Sequence, residues 1–114
     1  MRGPIPHLSR RAEFLRVAAA RRKWAAPGLV LQVAARADTS GPRVGFTASK
    51  KVGNAVARNR ARRRLRAAIA AVAAGRVRDD IDLVAIARDK TPTRPWPALL
   101  ADLEQALTRL KAWR

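Results

Sequence analysis

The most informative stretch of this 114-residue chain runs from Ser49 to Arg66 and has the sequence SKKVGNAVARNRARRRLR. Asn54 is a typical helix cap and Gly75 a typical helix end, so the sequence predicts one long helix from Asn54 to about Ala74. The residues expected to pack on a sheet recur at helical spacing. They are Ala61, Leu65, Ala68, Ile69 and Val72.

The same stretch contains eight lysines and arginines and no acidic residue. Helices usually place acids in their first turn, where the backbone N–H groups already carry partial positive charge. Lys50, Lys51, Arg58 and Arg60 add to that charge instead of balancing it. Such a helix start favours a polyanionic ligand, because helix N-termini already bind phosphate. We therefore interpret the stretch as a nucleic-acid contact surface.

Arg58 is an exception on this helix, because it lies seven residues before Leu65 and so falls in line with the buried stripe. A buried and unpaired guanidinium would be very costly. Either the helix begins later than predicted, or Arg58 extends over the sheet edge into an open cleft. The other polar residues divide between the outer face with one flank (Asn59, Arg62, Arg63, Arg66) and the opposite flank (Arg60, Arg64).

Two other interpretations of the cationic helix compete with nucleic-acid binding. A run of arginines is often only a solvated helix face, but such faces usually alternate in charge sign, and this run has no acidic partner four residues away. The planar donor fork of arginine also suits phosphate. An amphipathic membrane helix would need bulky apolar residues, whereas this stripe is largely alanine.

The rest of the chain predicts shorter elements around this helix. In chain order they are a helix capped by Ser9 with Phe14 on its apolar face, a hairpin of strands 29–35 and 43–49 around the turn 38–42, a strand over 81–87, and a last helix begun near Pro97. The last helix has a continuous apolar stripe, formed by Leu99, Leu103, Ala106, Leu107 and Leu110. The pattern predicts an α+β sandwich around a small sheet.

Composition limits the function further. The length suits a single domain over residues 1–114, with residues 1–8 as a flexible N-terminal segment. The formal net charge is +17, and residues 39–78 hold 11 basic side chains and no acid. Cysteine is absent, which excludes disulfides and thiol catalysis. Without an apolar run of about 20 residues or a secretory signal, we expect a soluble cytoplasmic protein that does not bind membranes.

Catalytic residues are not evident in the sequence. His7, the lone histidine, is more consistent with a solvated terminal residue than with a general base. Asp79, Asp80 and Asp82 could coordinate magnesium, but an acidic turn that leads into a strand is the favoured interpretation. The sequence thus favours a binding protein over a protein that hydrolyses its substrate by its own side chains.

The motif residues resemble those of a known family. Residues 52–66 follow the pattern Val-x-x-Ala-x-x-Arg-Asn-Arg-Ala-Arg-Arg-x-Leu-Arg, and residues 44–54 follow Val-Gly-x-x-x-Ser-Lys-Lys-x-Gly-Asn. Both patterns are similar to the protein subunit of bacterial ribonuclease P. Weaker matches lie at residues 13–14, 29–31 and 87–88, and the resemblance spans roughly residues 8–110.

This resemblance implies a fold and a function. The fold is a two-layer α+β sandwich, a small mixed β-sheet packed with three helices in the order αβββαβα, with a left-handed βαβ crossover (ribosomal protein S5 domain 2-like). The function is that of a ribonuclease P subunit, in which the catalytic RNA removes the 5′ leader from precursor tRNA and the protein contributes no catalytic residue. Mg²⁺ is then required by the holoenzyme, and no cofactor is bound by the protein alone. The implied partners of the monomeric protein are the ribonuclease P RNA and precursor tRNA.

The resemblance also assigns sites. The residues expected to contact RNA are Lys50, Lys51, Asn54, Arg58, Asn59, Arg60, Arg62, Arg63 and Arg66. A cleft between the first helix and the sheet would hold the single-stranded leader, with Phe14, Gln32 and Phe46 as candidate contacts. Many relatives carry further aromatics where this chain has Ala18 and Gln32, so stacking would depend mainly on Phe14, since Phe46 suits the core equally well.

The three tryptophans have no clear counterpart in the family. We expect Trp96 and Trp113 to pack against the protein, whereas the sequence leaves Trp24 undecided. The main alternative function is a structural RNA-binding protein such as a ribosomal protein. A third is a DNA-binding protein that inserts residues 58–66 into the major groove.

Overall fold

The computed structural model describes residues 4–114 and contains three helices and four strands. The elements are α1 (Arg11–Ala19), β1 (Lys23–Ala25), β2 (Leu29–Ala35), β3 (Arg43–Thr47), a short 3₁₀ turn (Lys50–Val52), α2 (Ala55–Val72), β4 (Ile81–Ala87) and α3 (Trp96–Arg109). This order, αβββαβα, is the one that the family resemblance implies. The α+β class and the mixed sheet are confirmed.

The four strands form one sheet in the order β1-β2-β4-β3. β4 lies in the interior of the sheet, antiparallel to β2 and parallel to β3. The predicted hairpin of residues 29–35 and 43–49 is therefore wrong, because β4 lies between those two strands. All but one of the seven residues of β4 are buried, so it takes an interior position that an exposed strand could not fill. α2 is the crossover between the parallel neighbours β3 and β4, and the left-handed sense of this crossover stays a prediction.

The two faces of the sheet are covered unequally. α2 and α3 pack on the face that presents Leu31, Leu83 and other residues of the main core. α1 covers the opposite face, where Val17 packs against Val84 in a smaller cluster. The short α1 leaves part of its face of the sheet uncovered, and a groove lies beside it.

The predicted apolar stripes of the two long helices are confirmed. The buried residues of α2 are Ala61, Leu65, Ala68, Ile69 and Val72. In the last helix and its end, the stripe residues Leu99, Leu103, Ala106, Leu107 and Leu110 are all buried. Helical periodicity therefore identified the main core on both helices.

Two local predictions need correction. Strand β1 was not predicted because three residues are too few to show a period; it pairs Trp24 with Leu31 at the sheet edge. Ser9 is not the cap of α1. Arg10 is the cap residue. The Glu13 carboxylate accepts hydrogen bonds from the backbone N–H groups of Arg10 (3.0 Å) and Ser9 (3.3 Å), which precede the helix.

Residues 4–8 of the N-terminal segment lie along β3, and the flexibility expected for residues 1–8 stays a prediction. The Val44 amide donates to the Pro6 carbonyl at 2.9 Å, and the Leu8 amide donates to the Val44 carbonyl at 2.9 Å. Ile5 and Leu8 are buried. These bonds and the burial of two aliphatic side chains hold the segment along β3. Residues 1–3 lie outside the described part of the chain.

Asp82 is a fully buried carboxylate on the α1 face of β4. Its Oδ1 accepts hydrogen bonds from Arg36 (2.8 Å) and Arg43 (3.0 Å), and its Oδ2 accepts from Arg43 (2.8 Å) and Arg16. Burial raises the pKa of Asp82, but the hydrogen bonds from Arg43 and Arg36 outweigh that effect, so the pKa lies below its ordinary value. Three arginines thus share one buried acid.

Candidate nucleic-acid interface

The start of α2 is fixed by local hydrogen bonds. The Ser49 hydroxyl accepts from the Lys51 amide at 3.3 Å, and the Asn54 side chain caps the helix by accepting from the Ala57 amide at 2.9 Å. Gly53 joins the two turns with a φ of 140°, a conformation that other residues rarely adopt. The predicted cap is confirmed, and Lys51 is held immediately before the helix.

Arg58 does not enter the core. The helix begins at Ala55, so the first of the two predicted alternatives, a later start, is wrong. The guanidinium instead turns back along the helix, and its Nη1 donates to the Gly53 carbonyl at 3.2 Å. Arg58 is half-buried, and its guanidinium lies beside the helix start.

Arg60 and Arg64 lie on the flank of α2 that faces the loop between β4 and α3. Arg60 Nε donates to the Pro92 carbonyl at 3.0 Å, and Arg64 donates to the carbonyls of Thr91 and Arg94. Burial, with a further contribution from the charge of Arg60, lowers the pKa of Arg64. Both guanidinium groups are therefore oriented by hydrogen bonds to this loop. Arg64 was not among the residues predicted to contact RNA. Its position beside Arg60 on the helical wheel is the sequence signal that could have indicated that Arg64 binds this loop.

The outer face of α2 presents cations without partners. Arg63 and Arg66 are exposed, and no other residue in the described range 4–114 makes a hydrogen bond or ion pair with their side chains. Arg62 Nη2 donates to the Asn59 side chain at 2.8 Å, so Asn59 orients an arginine. We call Lys50, Lys51, Arg58, Arg60, Arg62, Arg63 and Arg66 the α2 basic surface.

The acidic residues do not neutralise this surface. Within residues 4–114, six of the eight acids form ion pairs with arginines that lie outside residues 50–66. The acids in question are Glu13, Asp38, Asp79, Asp80, Asp82 and Asp102. Within residues 4–114 no group of three potential metal ligands of the His, Cys, Asp or Glu type lies together. The α2 basic surface is thus an open field of positive charge suited to a polyanion.

The cleft on the other face of the sheet is built on Gly45. A Cβ atom at Gly45 would lie 2.4 Å from a ring carbon of Phe14, so only glycine leaves room for this ring against the strand. Beside it, an open groove of about 340 Å³ is lined by Ser9, Arg11, Phe14 and Thr47. Gln32, paired with Val84, lies on the same face of the sheet as Gly45.

Gln32 is not among the residues that line this groove, and Phe46 lies on the other face of the sheet. Side chains alternate along a strand, so the residue after Gly45 points to the opposite face. Phe46 packs against the main core, and its ring makes an edge contact with His7 at 5.2 Å between centroids. The expectation of a cleft contact for Phe46 is therefore corrected.

Of the two tryptophans expected to pack against the protein, Trp113 does so and Trp96 does not. Trp96 is 38% exposed and lies beside Arg64 instead of being packed in the core. Trp113 is partly buried, and its indole N–H donates to the Thr108 hydroxyl at 2.8 Å. Trp24 packs at the edge of the core, with the Arg109 guanidinium 5.0 Å from its ring centre.

The chain is similar in sequence to known proteins of one family. The sequence model of the family Ribonuclease P matches residues 6–111. The ribonuclease P protein component of Paramagnetospirillum magneticum is 53% identical over 116 residues, covering 98% of this chain and 87% of that protein. The corresponding protein of Gluconacetobacter diazotrophicus is 51% identical, covering 90% of this chain and 88% of the relative.

Solved structures share the fold at lower identity. The Staphylococcus aureus RNase P protein superimposes with a TM-score of 0.81 at 24% identity, covering 95% of this chain and 97% of that chain. The Thermotoga maritima RNase P protein gives 0.72 at 19% identity, with 90% and 96% covered. Within residues 4–114, no helix combines the length and apolarity that crossing a membrane requires.

Proposed function

The chain belongs to the bacterial ribonuclease P protein family, and from that premise we propose how it takes part in tRNA processing. It is a ribonuclease P subunit and works with ribonuclease P RNA. We infer that the α2 basic surface contacts this RNA. The observation that carries the proposal is the division of charge: in the described part of the chain, six of eight acids pair with arginines elsewhere and none pairs with residues 50–66.

The proposed division of labour leaves hydrolysis to the RNA. Asp82 is surrounded by three arginines and does not suit a cation, while Asp79 and Asp80 pair with Arg114 and Arg78. The acids that could have bound magnesium are thus engaged by guanidinium groups. We propose that Mg²⁺ is required by the RNA–protein holoenzyme, that the protein binds no cofactor alone, and that it acts as a monomer on precursor tRNA in the bacterial cytoplasm.

The groove beside Phe14 is the proposed site of the 5′ leader. Its floor is a strand and its wall is α1, so an extended single strand fits along it. Phe14 offers a partly exposed ring on which a base can stack. Arg11, which also lines the groove, supplies a charge for the leader backbone.

Reconstitution tests the proposed function. The purified protein alone is expected to leave a 5′-labelled precursor tRNA intact and to restore leader removal when its ribonuclease P RNA is supplied at modest magnesium. Gel analysis of the labelled leader measures this. Robust cleavage by RNA-free protein would contradict the proposal. Sequencing the RNA that co-purifies with a tagged chain provides a second check, since a predominance of ribosomal RNA would favour the structural alternative.

Leader binding should depend on Phe14. Phe14→Ala is expected to weaken holoenzyme affinity for precursor tRNA by about 1–3 kcal/mol, the stacking energy of one base, and to leave affinity for mature tRNA unchanged. Gly45→Ala should weaken it too, because the new methyl group displaces the ring. Leu15→Ala is the matched control, since Leu15 is 54% exposed on the same helix. An equal loss for mature tRNA would show that Phe14 acts only in folding.

A further inference from the structure

Trp96 is the aromatic residue that the family resemblance does not account for and the core does not bury. It is the first residue of α3 and is 38% exposed. The Arg64 guanidinium carbon lies 5.9 Å from its ring centre, within the range of a cation–π contact. This contact restrains the indole ring on the same flank of α2 that carries Arg60.

The loop that precedes Trp96 is anchored by side-chain hydrogen bonds. Thr91 is fully buried; its hydroxyl donates to the Gly28 carbonyl at 2.6 Å and accepts from the Arg88 amide at 2.7 Å. Arg94 Nε donates to the Asp102 carboxylate at 2.9 Å. Arg64 then ties the loop to α2 through two of its carbonyls. A ring held in this way loses little conformational freedom when it binds a ligand.

A phosphate contact is available on the same flank. Arg60 uses its Nε to bind the Pro92 carbonyl, whereas its two terminal nitrogens have no hydrogen-bond partner in residues 4–114. Those nitrogens belong to an oriented guanidinium, and guanidinium donors suit phosphate oxygens. An exposed ring and a free cationic fork therefore border one anchored loop. This is the combination by which proteins hold single-stranded nucleotides.

We propose that Trp96 stacks on an unpaired base of the ribonuclease P RNA while Arg60 binds an adjacent phosphate. The inference rests on the proposed function of the α2 basic surface. The RNA subunit is the source of this nucleotide, because the proposed leader groove lies on the α1 face of the sheet and α3 packs on the opposite face. Arg64 is a positioning residue that holds the ring and the loop.

Affinity measurements on three variants test the stacking contact. Trp96→Leu keeps an apolar side chain but removes the aromatic face, and it is expected to weaken binding of the ribonuclease P RNA by about 5- to 150-fold. Trp96→Phe should retain most of the affinity. Trp113→Phe is the control, because that indole also lies beside an arginine, Arg76 at 5.0 Å, but follows the opposite end of α3. Equal affinities of the leucine and phenylalanine variants would overturn the stacking assignment.

Fluorescence supplies a direct readout in a folded protein. With Trp24→Phe and Trp113→Phe in place, Trp96 is the remaining tryptophan, and its emission should be quenched when the RNA subunit saturates the protein. Unchanged emission at saturation would overturn the proposal. A single-stranded leader oligonucleotide forms the second arm. An affinity loss by Trp96→Leu that is confined to this oligonucleotide would contradict the assignment to the RNA subunit.

The proposal and the proposed function fail in different ways. If the double variant Arg63→Ala, Arg66→Ala loses RNA affinity and Trp96→Leu does not, RNA binding by the α2 basic surface is supported and the stacking contact is contradicted. If the unmodified chain does not bind its RNA at all, both the proposed function and the stacking contact are contradicted.

Discussion

Asp82→Ala should destabilise the protein by about 3–5 kcal/mol, the usual effect of removing one partner from a buried ion pair. The substitution leaves Arg36, whose side chain is only 8% exposed, without its buried carboxylate, and also frees Arg16 and Arg43. Three cations would then face one another on the α1 side of the sheet. Urea unfolding followed by circular dichroism measures the loss.

The contribution of Asp82 should also depend on pH. Its pKa is lowered in the folded protein from an ordinary value of 3.8, so the unfolded chain binds its proton more readily. The stabilisation is fully present above pH 3.8 and is lost as the pH falls through the lowered folded pKa. The stability difference between the parent protein and Asp82→Asn should therefore shrink below pH 3.8. A difference that stayed constant down to pH 2 would contradict the charged role.

Arg16→Ala is the matched control for the buried cluster. Arg16 also binds Asp82, but its side chain is 44% exposed, so solvent screens the pair. Its removal should cost at most about 1 kcal/mol, as for surface ion pairs. If Arg16→Ala and Asp82→Ala were equally destabilising, the burial of Asp82 would not be the cause.

Arg63→Ala combined with Arg66→Ala should weaken RNA binding on the order of 100-fold near 0.1 M monovalent salt, since each lost phosphate contact gives up roughly one released counterion. The slope of log affinity against log salt should become shallower by about 1.4–1.8. Both side chains are exposed and bind no other described residue, so the change should leave stability nearly unaltered. Filter binding over a salt series measures affinity and slope together.

A control for net charge lies at the far end of α3. The double variant Arg109→Ala, Lys111→Asn also removes two positive charges, but at positions outside the α2 basic surface. Asparagine suits position 111 because Lys111 has a φ of 54°, which asparagine tolerates better than alanine. Equal losses in the two double variants would mean that only total charge matters. An unchanged slope for Arg63 and Arg66 would make both residues solvated spectators.

The sequence predicted the structural features that follow from a regular spacing of apolar residues. The stripes on α2 and α3 were correct residue by residue because burial on one helix face repeats along the chain. Strand pairing was not predicted, since residues 29–35 and 43–49 show strand character but not which strand lies between them. β4 separates them because α2 brings it back beside β3. The family resemblance, and not the pattern, supplied the full element order.

The positive charge of the α2 basic surface was predicted from the sequence. The placement of Phe46 and Trp96 was not. A run without acids indicated an exposed cationic surface, and the ion pairs elsewhere in the protein explain why that surface stays charged. Strand alternation would have separated Phe46 from Phe14 had Gly45 been recognised as the floor of the cleft. The expectation that Trp96 packs against the protein was wrong, because its exposure depends on the long-range anchoring of residues 88–95.

The N-terminal segment also closes an edge that would otherwise be open. An outer strand presents unpaired N–H and C=O groups to any other chain, and proteins shield such edges against aggregation. Residues 6–8 occupy the free side of β3 through the two hydrogen bonds with Val44. At the opposite edge, β1 is only three residues long and carries the exposed Lys23. The sheet therefore ends in a covered strand on one side and a short, charged one on the other.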